Sequence, residues 1–203
     1  MPRPRQVTDE QIFEATRACF LEHGPAAPVS HIAAALGISC AAIYQRIGSK
    51  EELLRRAFDP GPSKLARSLA AGPTPGTAVD GQLAAILNDA LGLLRRVIPG
   101  VLVLRAAGVE LHPPQAGGGV PPTILLRKGL SAWLRRAAPH LTAREAGDLA
   151  ELLLAAIEAR CFNDQLGGPA YVEGTDAQFR GRLIRLAARL MDPETARQPR
   201  RRR

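Results

Sequence analysis

The side chains best suited to chemistry lie between Ser30 and Lys50, and the chemistry they suit is recognition. Helical spacing puts Ser39, Cys40, Ala41, Ala42, Tyr44, Gln45 and Arg46 on the outward side of one short helix, once Ile38 and Ile43 are given to the interior. Short residues at 40–42 let the backbone sink toward base edges, where alanine methyls meet thymine methyls, and the Gln45 amide suits adenine. Tyr44, Arg46 and Lys50 suit phosphate oxygens, which hold a protein on a duplex without reading its sequence. Cys40 sits in the first turn, where a helix dipole lowers a thiol pKa. A redox role and a plain groove-facing role both stay open for it.

Other chemistries find no footing. The four histidines (His23, His31, His112, His140) lack metal-ligand spacing and there is no Cys-x-x-Cys, so neither metal nor cofactor is expected. Gly117-Gly118-Gly119 is not followed by the Lys-Ser/Thr of a phosphate loop. No nucleophile–base pair or paired carboxylates can be placed, so the chain is not expected to be an enzyme.

Presenting residues 39–46 to a groove takes two helices and a tight turn. The periodicity predicts helices at Val29–Leu36 and Cys40–Ile47, separated by Gly37-Ile38-Ser39. Gly37 supplies the left-handed backbone of the turn, and Ser39 caps the second helix. Ile32, Ala33, Leu36, Ile38 and Ile43 lock the pair together. An earlier helix begins at a Thr8/Gln11 capping box, carries Ile12, Ala15, Cys19 and Phe20 on one face, and stops at His23-Gly24-Pro25. A later one begins at Ser49, with Glu52 expected to complete another box.

Beyond Phe58 the chain stays helical in pattern. Asp59-Pro60-Gly61-Pro62 breaks it, and a Gly/Pro/Thr linker occupies 72–77. Helices are expected at 63–71, 78–98, 101–111, 123–138, 142–165 and 175–191, with a Gly- and Pro-rich loop at 112–122. The fold class is therefore all-α, about nine helices: a three-helix helix-turn-helix head and a larger helical body. Domain boundaries are expected at 1–58, 59–191 and a basic tail at 192–203.

Composition agrees. Two hundred and three residues, 46% hydrophobic and 23% charged, suit a soluble globular chain. Three cysteines are too few for a disulfide scaffold, and the longest strictly apolar run, 152–157, is too short for a membrane span. A cytoplasmic protein is expected. The net charge of +8 favours polyanions, but the first 58 residues hold seven basic against six acidic side chains, so charge alone does not locate a binding site.

The joint pattern Ile12…Phe20…Gly24, then Val29-x-x-Ile32-Ala33-x-x-Leu36-Gly37-Ile38-Ser39-x-x-x-Ile43-Tyr44-x-x-Ile47-x-Ser49-Lys50-Glu51-x-Leu53, resembles the tetracycline-repressor (TetR) family over residues 8–58. The resemblance implies a dimeric, all-helical repressor that binds a palindromic operator in double-stranded DNA and is released by a small molecule. It implies base-reading positions at Ser30, Cys40, Ala41, Ala42 and Gln45, and matches the recurrent tyrosine and lysine to Tyr44 and Lys50. Three departures stand out. Pro28 replaces the usual hydroxyl residue before the first motif helix, Arg46 the usual histidine, and Ile47 the usual aromatic.

In the body, Leu87, Leu91, Leu104, Trp133 and Phe162, with Asn88 and Asn163, are expected to line a mainly apolar effector pocket, with Glu110 or Arg105 as further polar anchors. The last two helices are expected to form the homodimer through Leu153, Ile157, Phe179, Leu183, Leu186 and Leu190. Two other readings stay open: a constitutive or architectural DNA-binding protein without inducer, and a helical-bundle enzyme.

Overall fold

The computed structural model describes residues 7–61, 63–109 and 122–192. Expectations for Pro62, Glu110, the loop up to Pro121 and the basic tail beyond Asp192 lie outside the described residues. Among those described there are nine α-helices and no strand: α1 Asp9–His23, α2 Val29–Leu36, α3 Cys40–Ile47, α4 Lys50–Ala57, α5 Lys64–Ala71, α6 Val79–Ala106, α7 Pro122–Ala137, α8 Ala143–Gly167 and α9 Asp176–Met191. A single 3-10 turn, Gly168–Tyr171, links the last two.

Most helix starts follow from side-chain capping of free amides. Thr8/Gln11, Thr142/Glu145 and Thr175/Gln178 form complete reciprocal boxes. Ser49 forms half of one. Its hydroxyl accepts from the Glu52 amide at 3.0 Å, but the Glu52 carboxylate turns away to Arg55 at 2.6 Å, so the expected box is corrected to a single cap. A nearby guanidinium outbids an amide for a carboxylate because both partners are charged.

A second correction concerns the middle of the chain. The two helices expected at 78–98 and 101–111 are one helix, α6, which runs through Pro99. Proline removes one amide from the ladder and crowds the preceding turn. Here the apolar residues on both sides keep helical spacing, with Leu87, Leu91 and Leu94 before it and Val103 and Leu104 after it all buried. Their burial offsets the lost bond, each such side chain being worth about 1.5–3 kcal/mol.

The described residues divide into two compact units. One comprises α1–α4 with the last part of α6, from Arg96. The other comprises α5, α6 up to Arg95, and α7–α9. The first unit closes around Ile12, Phe20, Ile32, Ile43, Leu53 and Leu54, and Val103, Leu104 and Val109 join the same cluster. The second holds Leu83, Leu87, Leu130, Trp133, Leu134 and Ile157, each buried.

One charged group is buried in the second unit. Arg160, only 7% exposed, donates from Nε to Asp176 Oδ1 at 2.9 Å and to the carbonyls of Glu173 (3.0 Å) and Gly174 (2.7 Å). Its guanidinium also lies 4.8 Å from the centre of the Phe179 ring. Arg95 donates to the same aspartate at 3.0 Å. Burial pushes the Asp176 carboxyl up, but the hydrogen bonds from Arg160 and Arg95 outweigh it and hold the group below its ordinary value. The first turn of α9 is thereby tied to α6 and α8.

Candidate nucleic-acid interface

The interface begins at a glycine. Gly37 ends α2 with φ 66° and ψ 31°, a left-handed conformation costly for any residue with a Cβ. The Gly37 amide donates to Ala34 and the Ile38 amide to Ala33 at 3.0 Å, the paired bonds of a Schellman end. That reversal drops Ile38 onto the core and delivers Ser39, whose Oγ accepts from the Ala42 amide at 3.1 Å. The second helix starts there. Pro28 leaves α2 without a side-chain cap, as its chemistry requires.

On α3, Ile43 and Ile47 are buried and hold the helix down. Ser39, Ala41, Tyr44, Gln45 and Arg46 are exposed, while Cys40 and Ala42 are half-buried. Ser30, in the first turn of α2, is also exposed. On α3 the outward positions before Arg46 carry small or neutral hydrogen-bonding groups, the type of surface that fits a major groove.

The cations behave differently from the sequence expectation. Lys50 Nζ donates inward, to the carbonyls of Pro25 (3.2 Å) and Ala27 (3.1 Å), and lies 5.1 Å from the centre of the Phe20 ring. Arg46 donates to the Val7 carbonyl at 2.5 Å and forms a close ion pair with Asp9. Arg56 stands 3.7 Å from the other Asp9 oxygen, with its guanidinium over the Phe13 ring. Arg17 pairs with Glu10, and Arg55 with both Glu51 and Glu52. The arginines of α1, α3 and α4 are thus matched internally by carboxylates. Asp9 escaped the sequence reading because 37 residues separate it from Arg46 and no periodicity links them.

Two helices joined by the Gly37 turn, in a chain that continues as a helical body, define the class: a helix-turn-helix protein. Residues 12–57 match the family model described as bacterial regulatory proteins, tetR family. The chain is similar in fold to a TetR family transcriptional regulator from Pseudomonas syringae pv. tomato str. DC3000, at 21% identity over 90% of this chain and 93% of that one, with a TM-score of 0.57. A TetR-like regulator from Rhodococcus sp. RHA1 is similar at 20% identity, 97% and 100% coverage, and a TM-score of 0.54. A third neighbour, solved as the molecular basis for control of antibiotic production by bacterial hormones, gives 20%, 91%, 97% and 0.57. No curated protein sequence matches the chain.

The expected pocket residues fall in both units. Leu87, Leu91 and Trp133 are buried in the second unit, whereas Leu104 belongs to the core of the first. Asn88, Phe162 and Asn163 are exposed, and so is Arg105. The spacing was right for an apolar face, but a face at helical spacing packs as readily into solid core as around a cavity. Two hollows do lie along α7 and α8. One of about 150 Å³ is lined by Thr123, Ile124, Arg127, Glu151, Leu154 and Glu158, and burial raises the Glu158 carboxyl pKa there.

The expected dimer residues divide as well. Leu153, Ile157 and Leu183 are buried within the chain itself, Phe179 is half-buried, and Leu186 and Leu190 are 48% and 44% exposed. On α8 the outward stripe is Leu152, Ala155, Ala159, Phe162 and Leu166. It lies one residue from the stripe read from sequence, because α8 is apolar on both sides. Among the described residues no three His, Cys, Asp or Glu side chains could hold a metal ion, and no helix is long and apolar enough to cross a membrane.

Proposed function

We propose that the protein is a dimeric transcriptional repressor that binds a two-fold symmetric DNA operator through α3. The observation that carries this reading is the outward surface of α3 and the first turn of α2. There Ser30, Ser39, Ala41, Tyr44 and Gln45 are exposed, with Cys40 and Ala42 set between them, on a helix held by Ile43 and Ile47. In this reading Ser30, Cys40, Ala41, Ala42 and Gln45 face bases, and Ser39, Tyr44, Arg46 and Lys50 serve the backbone. Dimerisation is supported by the exposed α8 stripe and by Leu186 and Leu190 on α9, which water would otherwise wet. Two-fold pairing of heads then requires two half-sites about one helical turn apart. A cytoplasmic location and the absence of catalysis follow from the same reading.

A small, mainly apolar effector that releases DNA completes the proposal, as expected for a body of this fold. Such an effector must bind one spacing of the heads better than another, since equal binding shifts nothing. A regulator without inducer is the second reading. It is favoured by the exposure of Asn88, Phe162 and Asn163, three of the residues expected to line the pocket.

Selection of bound sequences from random duplex DNA at about 0.1 M salt tests the proposal, a concentration at which phosphate contacts still contribute strongly. A two-fold symmetric site is expected. Unselective binding would refute an operator-specific repressor.

A further inference from the structure

Asp9 occupies the first turn of α1, outside the helix-turn-helix pair, and meets two arginines at once. One carboxylate oxygen forms the close ion pair with Arg46 NH2, and the other lies 3.7 Å from Arg56 NH2. Arg46 follows Gln45 directly on α3, and its NH1 is held at 2.5 Å by the Val7 carbonyl. The arginine that ends the reading surface is therefore already bound on two sides, by a carbonyl and a carboxylate.

From this geometry, and resting on the DNA-binding reading above, we infer that Asp9 is an internal stand-in for a DNA phosphate. It occupies Arg46, and in part Arg56, and so lowers affinity for every DNA sequence alike. A carboxylate and a phosphate present the same chemistry to a guanidinium, two anionic oxygens accepting a planar fork of N–H donors. Only one of them can take the Arg46 NH2 edge at a time. Arg46 and Asp9 are 40% and 43% exposed, so exchange costs no burial of charge. The Asp9 carboxylate also sits in the first turn of α1, an end of the helix where the dipole favours a negative side chain. When a phosphate displaces it, Asp9 stays close and offsets part of the gain.

This device acts on non-specific and specific binding together, so it leaves the ratio between sites unchanged. It differs from base reading in that respect, and the difference is measurable. An arginine that neutralises a phosphate adds about 0.9 to the salt slope through the cations it frees from the DNA, whereas one still paired with its own carboxylate neutralises no phosphate and adds little.

The test is a four-member cycle on the full-length chain: wild type, Asp9→Asn, Arg46→Ala and the double variant. Each is titrated with its selected site and with random duplex DNA between about 50 and 200 mM salt, a range over which one phosphate contact is worth about threefold. Asp9→Asn is expected to tighten binding to both duplexes about threefold or more at low salt and to steepen the slope by about one unit. In the Arg46→Ala background the same change should gain less than half of that. Glu14→Gln, an equal change of charge on α1, serves as control and should not reproduce the gain. Asp9→Ala repeats the measurement should the asparagine variant lose stability. If wild type binds DNA and Asp9→Asn binds no tighter, or gains equally without Arg46, the inference fails and the DNA-binding reading stands. If neither wild type nor Asp9→Asn binds duplex DNA at low salt, both fail together.

Discussion

The Lys50 ammonium donates to the Ala27 carbonyl at 3.1 Å, so the residue nearest the end of the recognition motif is spent on its own scaffold. A second bond reaches Pro25 at 3.2 Å, and the Phe20 ring lies beneath. Together these contacts strap the start of α4 to the turn between α1 and α2. An ammonium carries three donors, which leaves one for a phosphate.

Lys50→Ala should therefore weaken the fold as well as DNA binding. Loss of two hydrogen bonds from a charged donor predicts destabilisation by about 1–3 kcal/mol, read as a lower urea midpoint with an unchanged m-value. An unchanged midpoint would return Lys50 to a purely DNA-facing role.

Gln45→Ala should leave stability intact and relax preference at one base position in each half-site, at about 1–3 kcal/mol of discrimination. Binding-site selection with the variant checks it. An identical base preference would remove Gln45 from the reading surface.

The outward stripe of α8 makes a different prediction from the inward one. Leu152→Arg or Leu186→Arg should give folded monomers by sedimentation, since both side chains are about half exposed in the single chain. Leu153→Arg should instead unfold the body, because Leu153 is 1% exposed. Folded dimers carrying both Leu152→Arg and Leu186→Arg would put the interface on other helices.

Acid should loosen the α6–α8–α9 tie. The folded Asp176 carboxyl titrates below its ordinary value, so the stability it contributes is fully present above about pH 4 and lost as pH falls through the folded value. Asp176→Asn should lower stability at neutral pH by about 3 kcal/mol, because it strips the charge partner from buried Arg160. The variant should also lose less on acidification than wild type does. Parallel pH profiles for the two proteins would discount the network.

Much of this protein was legible from residue order alone, for a physical reason. Capping boxes and Gly37 in its left-handed turn are local, set by neighbours three to five residues away, and the chemistry of such neighbours is readable in a string of letters. Pro28 and Ser39 acted as their side chains dictate. Tertiary structure decided what depends on distant partners. Residue order could not show that α6 continues past Pro99, since that rests on burial gained on both sides of it. Nor could it choose between the two apolar faces of α8, because periodicity gives a face without saying whether core or water meets it. The inward turn of Lys50 and the capture of Arg46 by Asp9 lie furthest from the reach of sequence. A long charged side chain has many reachable partners, and only the folded backbone determines which oxygen stands within hydrogen-bond reach.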